Sequence, residues 1–414
     1  MSMEIWSLFL TIGLSYGIIE FVLFQWILYV RKKFQWLIVS KYDENPKLSQ
    51  EGLDKFIPEG YDPHIGWIRK PNTTRKEQGK FGITTWSIND KGARTNPKFE
   101  EKISNISCYG DSFTFCRQVN DDETWEHYMS KLGNTNVLNF GVGNYGIDQS
   151  FLRLEREFHK NKTDIVILAV VPDTISRIMS SWKHYYEYGN TFAFKPRFIL
   201  KNKELKLIEN MINEESKFKT YENYLDRIQE SDYFYKEKFK KEILHFPYVF
   251  TILKNLKRNI SIMYWVTIIE LWKKKDKNIS KIKWNAMKII MKINLQWRLK
   301  LYKNKEATKI LEKILEKYVN FAKINNFIPV FAFLPQKDDI AFIKKKYNFY
   351  QEIEKKLSLM EGLCVIPVTD QLLSKNKIDE IYSDDNEYGG HFSRVGNQNI
   401  ASIIHQYLTK INNK

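Results

Sequence analysis

A serine early in the chain and a histidine late in it are the residues whose types and context best fit nucleophilic chemistry. Ser112 ends the tripeptide Gly110-Asp111-Ser112, directly after a predicted buried strand, and His391 precedes a final predicted helix. A histidine beside a serine hydroxyl can take its proton, so that the oxygen attacks a carbonyl carbon. The tripeptide alone is common in turns, and its position after a strand makes Ser112 a candidate nucleophile.

Strands and helices alternate around these two residues. The predicted strands cover residues 103–109, 136–140, 164–171, 328–334 and 363–368, and the predicted helices cover 122–132, 149–159, 307–324 and 349–359. This alternation predicts an α/β fold, a three-layer α/β/α sandwich with a parallel sheet of flavodoxin-like character. Such sheets bind ligands at the carboxyl ends of their strands, where Ser112 would lie.

The chain divides into five predicted segments. These are a membrane anchor (1–33), a small β-rich linker (34–100), the first half of the α/β domain (101–195), a basic helical insert (196–306) and the second half of the α/β domain (307–414). A chain of 414 residues with 43% hydrophobic residues is long enough for two to three domains and is not disordered as a whole. Three cysteines do not make a disulfide framework, so stability must come from a packed core.

The N-terminal stretch Ile5–Val30 has the length and composition of a membrane span. Its only charged residue is Glu20, and as a helix it would be about 39 Å long, against roughly 30 Å of hydrocarbon. A buried amphipathic core helix is the alternative. Arg31, Lys32 and Lys33 follow the span, and the positive-inside rule then predicts a single-pass anchor with the body on the cytoplasmic side.

Most of the positive charge falls in the insert. The formal net charge is +16, and Thr251–Glu306 contains 15 basic and 3 acidic residues, a local +12. One face of a predicted helix carries Ile282, Ala286, Ile289, Ile293, Trp297 and Leu301, with lysines between them. This pattern indicates either a helix that lies on an anionic membrane surface or an ordinary helical cap with a solvated lysine face. No nucleic-acid partner is expected, because no binding motif accompanies the charge.

Short motifs occur along about half of the chain, over residues 61–177 and 328–408. They are Tyr61-Asp62-Pro63 with Gly66-Trp67, Ser87-Ile88-Asn89 with Gly92 and Arg94, Gly110-Asp111-Ser112-Phe113-Thr114-Phe115, Asp122-Glu123-Thr124-Trp125, Asn139-Phe140-Gly141-Val142 leading into Tyr145-Gly146-Ile147-Asp148-Gln149, and Gly390-His391-Phe392-Ser393 with Gly396-Asn397. In these motifs the chain resembles the SGNH (GDSL-like) hydrolases and acyltransferases, specifically their membrane-anchored group.

The resemblance implies a chemistry and a role for each matching position. It implies an ester hydrolase or O-acyltransferase that acts on an ester-linked acyl group of a glycan or lipid, with no metal and no organic cofactor. Ser112 matches the nucleophile, and His391 matches the general base. The second oxyanion donor of the family is a glycine N–H that falls on Asn144, with Gly143 before it. We expect Asp111 to take part in the same oxyanion and substrate-binding group.

Two positions depart from the pattern of the family. Its third oxyanion donor, an asparagine side chain, falls on Pro172, which has neither a side-chain donor nor an N–H. Its acid stands two or three residues before the histidine, where this chain has Tyr388 and Gly389. Asp385 is the predicted acid, and Glu387 is the alternative. Both departures favour a second interpretation, a catalytically weak membrane-tethered protein that binds a glycan or acyl group.

An aromatic and basic cluster follows the third block of motifs, at residues 182–186. Its sequence is Trp-Lys-His-Tyr-Tyr. Two interpretations are open: the cluster forms a wall that faces a sugar or an acyl chain, or it is a packed lid helix.

Overall fold

A five-stranded parallel sheet forms the centre of the computed structural model, which describes residues 3–34, 37–79, 82–275, 279–374, 378–383 and 390–412. We number its strands β1 (Ile106–Gly110), β2 (Val137–Asn139), β3 (Ile165–Val170), β4 (Ile328–Phe333) and β5 (Cys364–Ile366). Their order is β2-β1-β3-β4-β5, and every neighbouring pair is parallel. This is the flavodoxin-like strand order, and the predicted α/β class is confirmed.

Helices cover both faces of the sheet, because successive side chains along each strand point to opposite sides. Along β3, Val166 and Leu168 lie in one apolar core, and Ile167 and Ala169 lie in the other. The first core contains side chains from the helices Ile147–Glu157, Lys305–Asn325 and Gln351–Ser358. The second contains side chains from the helices Trp125–Gly133, Lys337–Lys345, Val368–Leu373 and Arg394–Asn412.

The predicted strands and helices of this domain agree with the observed ones to within three residues at each end. Two helices of the second face, Lys337–Lys345 and Val368–Leu373, were not predicted. Both are short, with nine and six residues, so neither shows enough turns of periodic apolar residues to be recognised in the sequence.

The segments outside the sheet carry their own secondary structure. Residues 34–100 contain the helix Gln50–Gly60 and the antiparallel hairpin Thr73–Gly79 with Gly82–Ile88. Residues 196–306 begin with the hairpin Arg197–Lys201 with Glu204–Ile208 and continue with the helices Leu225–Ser231, Lys240–Glu242, Tyr248–Lys254, Leu256–Lys275 and Ile279–Leu301. Shorter elements are the helices Thr174–Arg177, Lys183–Tyr186 and Ile378–Ile381 and the strand pairs Val39–Ser40 with Ile243–Leu244, Tyr61–Asp62 with Gly66–Trp67, and Tyr382–Ser383 with His391–Phe392.

The helix Met3–Phe34, called the anchor helix below, is the one helix of the described residues that is long and apolar enough to cross a membrane. Its residues are exposed on all sides from Glu4 to Ile19. Ile27 and Val30, further along, are buried among side chains of the insert. The anchor helix therefore has a free first half and a second half that is covered on one side.

The single charge of the predicted span has a structural partner. Glu20 is 5% exposed, and its carboxylate accepts hydrogen bonds from the backbone N–H groups of Tyr248 (2.6 Å) and Val249 (3.1 Å). These groups begin the helix Tyr248–Lys254, whose first N–H groups have no partner within the helix. The partial positive charge of a helix N-terminus favours a carboxylate there. Glu20 thus joins the anchor helix to the insert.

The predicted apolar face of Ile279–Leu301 faces inward over its described part. Ile289 and Leu301 are buried, Ile293 packs beside the anchor helix, and Trp297 packs against the core of the body. The side chains of Ile282 and Ala286 lie outside those that the structure describes. This face is therefore used in internal packing from Ile289 onward.

Candidate active site

The turn that carries Ser112 begins where β1 touches β3. A Cβ at Gly110 would lie 1.9 Å from the carbonyl oxygen of Ala169, so only glycine fits there. Turns follow rather than a regular helix: the N–H of Phe115 donates to the carbonyl of Asp111 at 2.8 Å, and that of Arg117 to the carbonyl of Ser112 at 3.1 Å. Ser112 thus lies at the carboxyl edge of the sheet, where such folds bind ligands.

Arg94 holds these turns in place. Its side chain is buried, and its guanidinium donates to the carbonyl oxygens of Phe115 (2.5 Å), Cys116 (2.7 Å) and Val119 (2.6 Å). The carboxylate of Asp121, at 2.8 Å, balances its charge. The sequence marked Arg94 as part of a motif, and its contacts explain why an arginine with several donors is needed there.

Asp111 supports the turn from beneath. Its carboxylate is fully buried and accepts hydrogen bonds from the N–H groups of Phe113 (2.8 Å) and Val171 (2.9 Å) and from Arg177 (3.0 Å). Burial raises the pKa of Asp111, and the positive charge of Arg177 opposes that rise. Asp111 is not among the described residues that line the cavity with Ser112. Its contacts are those of a group that positions the Ser112 turn, and its part in substrate binding stays a prediction.

His391 comes to Ser112 from the other half of the chain. It begins the strand His391–Phe392, which pairs with Tyr382–Ser383. Its Nε2 atom lies 2.9 Å from Oγ of Ser112, within hydrogen-bonding distance. Its ring packs on Phe113, with ring centres 4.9 Å apart. The two residues singled out first in the sequence therefore meet with the geometry of a nucleophile and its base.

Both candidate acids, Asp385 and Glu387, lie outside the described residues. The described residues on either side of them are joined, because the N–H of Gly390 donates to the carbonyl of Ser383 at 2.7 Å. Ser383 also pairs directly with His391 across the short hairpin. The choice of the acid stays a prediction.

The loop after β2 supplies backbone donors beside the nucleophile. A Cβ built on Gly143 would lie 4.0 Å from Cβ of Ser112, and the indole N–H of Trp67 fixes the Gly143 carbonyl at 3.0 Å. Asn144 has φ = +67°, a conformation that asparagine adopts more readily than most residues. In the described part of the chain, the backbone N–H groups of Ser112, Gly143 and Asn144 have no acceptor. They are therefore available to a substrate oxygen.

The loop after β3 presents a carboxylate to the cavity. The carbonyl of Pro172 accepts a hydrogen bond from Tyr302 at 2.8 Å, and Asp173 lines the cavity. Tyr186 (2.7 Å) and Arg177 (3.3 Å) donate to the Asp173 carboxylate, and burial raises its pKa.

The insert forms one wall of the cavity at the site, which the sequence did not predict. The cavity has a volume of about 940 Å³ and is lined by Ser112, His391 and, from the helix Ile279–Leu301, Ile290, Met291, Ile293, Asn294 and Arg298. Asn294 donates to Glu187 at 2.9 Å, which ties this helix to the body. The sequence marked Ile293 only as part of an apolar helix face, and no local signal placed these residues at the site, because that depends on how the insert folds back over the sheet.

The cluster at residues 182–186 is divided between the two interpretations that its sequence left open. Lys183 and Tyr186 line the cavity. Trp182, His184 and Tyr185 are buried, and both aromatic residues belong to the core of the body. Part of the cluster is therefore wall, and most of it is packed core.

Two solved structures are among those that are similar to this chain. No protein-family model matches the chain, and no curated protein does. One structure is a putative lipolytic protein of the G-D-S-L family from Desulfitobacterium hafniense DCB-2; it is 12% identical, has a TM-score of 0.33, and the match covers 73% of this chain and 98% of that one. The other, of the same family, is from Veillonella parvula DSM 2008, with 12% identity, a TM-score of 0.35 and coverage of 74% and 98%.

Proposed function

We propose that the protein is a membrane-tethered serine esterase or O-acyltransferase that acts on an ester-linked acyl group of a glycan or lipid. The single observation that carries this proposal is the 2.9 Å contact between Nε2 of His391 and Oγ of Ser112 at the carboxyl edge of the sheet. A nucleophile within hydrogen-bonding reach of a base is the diagnostic arrangement for covalent acyl transfer.

The chemistry follows from the positions of these groups. His391 takes the proton of Ser112, whose oxygen attacks the ester carbonyl to give a tetrahedral intermediate. The N–H groups of Ser112 and Asn144 stabilise the negative charge on its oxygen. The proton on His391 then passes to the leaving alcohol as the C–O bond breaks. Water or a sugar hydroxyl, deprotonated in turn by His391, releases the acyl group, and the choice between these acceptors separates hydrolase from transferase.

Asp385 is the proposed acid, with Glu387 as the alternative. It stands two residues after Ser383, whose strand pairs with His391. Two residues of chain span at most about 7 Å, and this short separation from the strand partner of His391 supports the proposal. Its role would be to hold the imidazole in the correct tautomer and to stabilise the imidazolium.

Reaction of the purified full chain with a fluorophosphonate probe tests the proposal. We expect covalent labelling that Ser112→Ala abolishes and that Ser358→Ala, at an exposed serine of the helix Gln351–Ser358, leaves intact. Thermal unfolding of Ser112→Ala should match that of the wild type. Labelling that persists in folded Ser112→Ala would contradict the assignment of the nucleophile.

Pro172 favours a second candidate function, a catalytically weak protein that uses the same cavity to bind a glycan or acyl group. A missing oxyanion donor costs a factor of about 10²–10³ in rate. Absence of fluorophosphonate labelling, together with binding of an acylated glycan that Ser112→Ala retains, would support this alternative.

We also propose that the anchor helix crosses a membrane once and that the body lies on the cytoplasmic side, against an anionic surface. Arg31, Lys32 and Lys33 follow the span, and the local charge of +12 in the insert adds attraction to anionic lipids. A cysteine introduced at exposed Leu359 should resist an impermeant thiol reagent in intact cells and react after lysis. Labelling in intact cells would contradict the cytoplasmic assignment.

A further inference from the structure

Among the arginines that line the cavity, Arg69, Arg75 and Arg117 act electrostatically on one another and are called the arginine wall below. Arg75 forms an ion pair with Glu59 at 2.6 Å, and Arg117 forms one with Glu77 at 3.0 Å. Arg69 differs from them, because no carboxylate among the described residues lies within ion-pair distance of its guanidinium. Among the described residues, Arg69 is therefore the arginine of this wall that has no ion-pair partner.

Aromatic rings hold Arg69 close to the nucleophile. Its guanidinium carbon lies 4.4 Å from the centre of the Trp86 ring and 4.8 Å from that of Phe115. Phe115 belongs to the turns that start at Ser112, and Trp67, two residues before Arg69, donates to the loop that offers the backbone donors. A guanidinium stacked on rings keeps its N–H groups for hydrogen bonds in its own plane.

The environment of Arg69 favours an anion. Burial lowers the pKa of Arg69 to about 10; Glu77 opposes this shift, and Arg117 and Arg75 add to it. A partly buried cation without a partner is costly, so an anion that enters the cavity gains free energy from it. The guanidinium fork matches the geometry of a carboxylate or a phosphate.

We propose that Arg69 is the centre of an anion subsite, and that the ester substrate of Ser112 carries a carboxylate or phosphate group that binds there. This inference rests on the proposed esterase or acyltransferase function and specifies its substrate class. The substrate would then lie with its anionic group against the arginine wall and its ester carbonyl between Ser112 and the backbone donors of the loop after β2.

Two aryl esters of matched length test the subsite with the full chain in detergent. They are 4-nitrophenyl butyrate, which is neutral, and mono-4-nitrophenyl succinate, which ends in a carboxylate. We expect Arg69→Gln to lower kcat/KM about tenfold for the succinate ester, the factor that about 1.4 kcal/mol gives, and to leave the butyrate ester within about twofold. Inorganic phosphate should inhibit the wild type and inhibit Arg69→Gln less. Arg227→Gln, on an exposed surface, is the matched control.

The outcomes are distinguishable. Equal losses on both esters, or no loss on either together with unchanged phosphate inhibition, would overturn the subsite. Phosphate inhibition that Arg69→Gln removes, without any preference for the succinate ester, would support the subsite and assign it to phosphate. Failure of the proposed function itself gives a different result, because neither ester would then be turned over in a way that Ser112→Ala abolishes.

A separate observation concerns the surface beside the anchor helix. The stretch that is exposed on all sides, Glu4–Ile19, is 16 residues long. As a helix it measures about 24 Å, less than the roughly 30 Å of a hydrocarbon core. Beyond Ile19 the insert covers one side of the anchor helix, where Glu20, Ile27 and Val30 are buried. A bilayer that the anchor helix crosses therefore also meets the insert.

The insert presents apolar side chains at that level. On the helix Leu256–Lys275, one side packs against the anchor helix through Ile262, Val266 and Ile269. Another side leaves large side chains between 44% and 59% exposed, namely Leu256, Ile260, Tyr264 and Leu271. Phe250 and Leu253, on the preceding helix, are exposed as well. A contiguous apolar surface of this kind is unusual in contact with water and typical of an interaction site.

We infer that this exposed side of Leu256–Lys275 is occupied by lipid hydrocarbon of the leaflet that the anchor helix enters. The helix that carries this surface packs against the anchor helix, whose Phe21, Val22 and Leu28 are exposed over the stretch that the insert covers on one side. This is the argument for lipid over a protein partner. The inference rests on the proposed membrane span. Leu37 and Ile290 pack in the apolar cluster between the anchor helix and the insert, and Arg258 donates to the carbonyl of Leu37. All three residues also line the cavity, so the cavity would lie next to the membrane surface.

Fluorescent probes on single cysteines test the membrane contact in vesicles that contain the full chain with Cys364→Ser. We expect a probe at Ile260→Cys or Tyr264→Cys to be quenched by doxyl-labelled lipids and protected from aqueous iodide. Leu359→Cys, an exposed apolar position on the body, should show the reverse. Iodide quenching without lipid quenching at both insert positions would overturn the inference. A probe at Leu14→Cys checks the span itself, and lack of lipid quenching there would instead contradict the membrane anchor.

Discussion

The turns around Ser112 and the junction of the anchor helix with the insert are held together in opposite ways. Around Ser112, buried charges dominate, with Asp111 against Arg177 and Arg94 on backbone carbonyls. At the junction, apolar side chains pack together, and Glu20 is the charge from the anchor helix that is buried there. Hydrogen bonds fix distance and angle, whereas apolar packing is non-directional. Catalytic geometry needs the first kind of contact, and attachment to a membrane needs only the second.

The largest effect expected from this comparison is on the acid of the site. Asp385→Asn should lower kcat by several orders of magnitude, because it removes the charge that stabilises the imidazolium of His391. Glu387→Gln should leave kcat nearly unchanged. Turnover of a short-chain aryl ester measures both. The reverse pattern would move the role to Glu387, and insensitivity to both would leave a Ser–His dyad.

Removal of a buried cation should be the next largest change. Arg177→Leu leaves Asp111 and Asp173 without their shared partner, so the free energy of unfolding should fall by about 3–5 kcal/mol. Denaturant unfolding measures this loss. Arg227→Leu, on the surface, should change it by about 0.5 kcal/mol or less. A similar small change for Arg177→Leu would mean that buried charges do not hold the Ser112 turn.

The backbone conformation of Asn144, in the loop after β2, can be tested with a matched pair of variants. Asn144 has φ = +67°, so Asn144→Val should cost about 1–3 kcal/mol and lower kcat, because a β-branched residue moves the backbone donor. Asn144→Gly accepts this conformation and should keep kcat close to the wild-type value. Equal activity of the two variants would remove the Asn144 N–H from the proposed oxyanion hole.

A pH dependence is expected where the body meets the chain after the anchor helix. Nε2 of His184 lies 2.8 Å from the Asp43 carbonyl, and its Nδ1 accepts from the N–H of Gly189, so the ring is held neutral. Burial lowers the pKa of His184 to about 4. The unfolded state therefore takes up a proton first, and His184 should cost stability as the pH falls from about 6.5 towards 4, by about 1–2 kcal/mol at pH 5. Denaturant unfolding at pH 7 and pH 5 gives the change in the free energy of unfolding with pH for the wild type and for His184→Gln. The same change in both proteins would contradict this role.

The smallest effect concerns Glu20, whose carboxylate binds the N-terminus of the helix Tyr248–Lys254. Glu20→Gln keeps one acceptor oxygen and loses the charge that two N–H groups share, so it should cost about 1 kcal/mol. Amide exchange at Tyr248 and Val249 should become faster, while ester turnover stays unchanged. Exchange as slow as in the wild type would mean that apolar packing alone fixes the junction.

Much of the fold was predictable because burial leaves a local periodic signal. The apolar run of β3 and the spacing of Lys305–Asn325 report their environment within a few residues of chain. The amphipathic face of Ile279–Leu301 was also recognisable, but whether lipid or protein covers it was not. Its described part from Ile289 packs inward, and the exposed apolar surface lies on Leu256–Lys275, a helix whose opposite sides are both apolar.

The sequence by itself determined the alternating elements and the long apolar helix at the N-terminus, and it marked Ser112 and His391 as candidates for nucleophile and base. Only the tertiary structure decided that these two, 279 residues apart, meet at 2.9 Å. It also decided that Arg177 meets Asp111, whereas Arg69 has no carboxylate within ion-pair distance among the residues that the structure describes. The physical reason is that periodicity records how one element is buried, whereas the partner of a charge depends on how distant elements pack together.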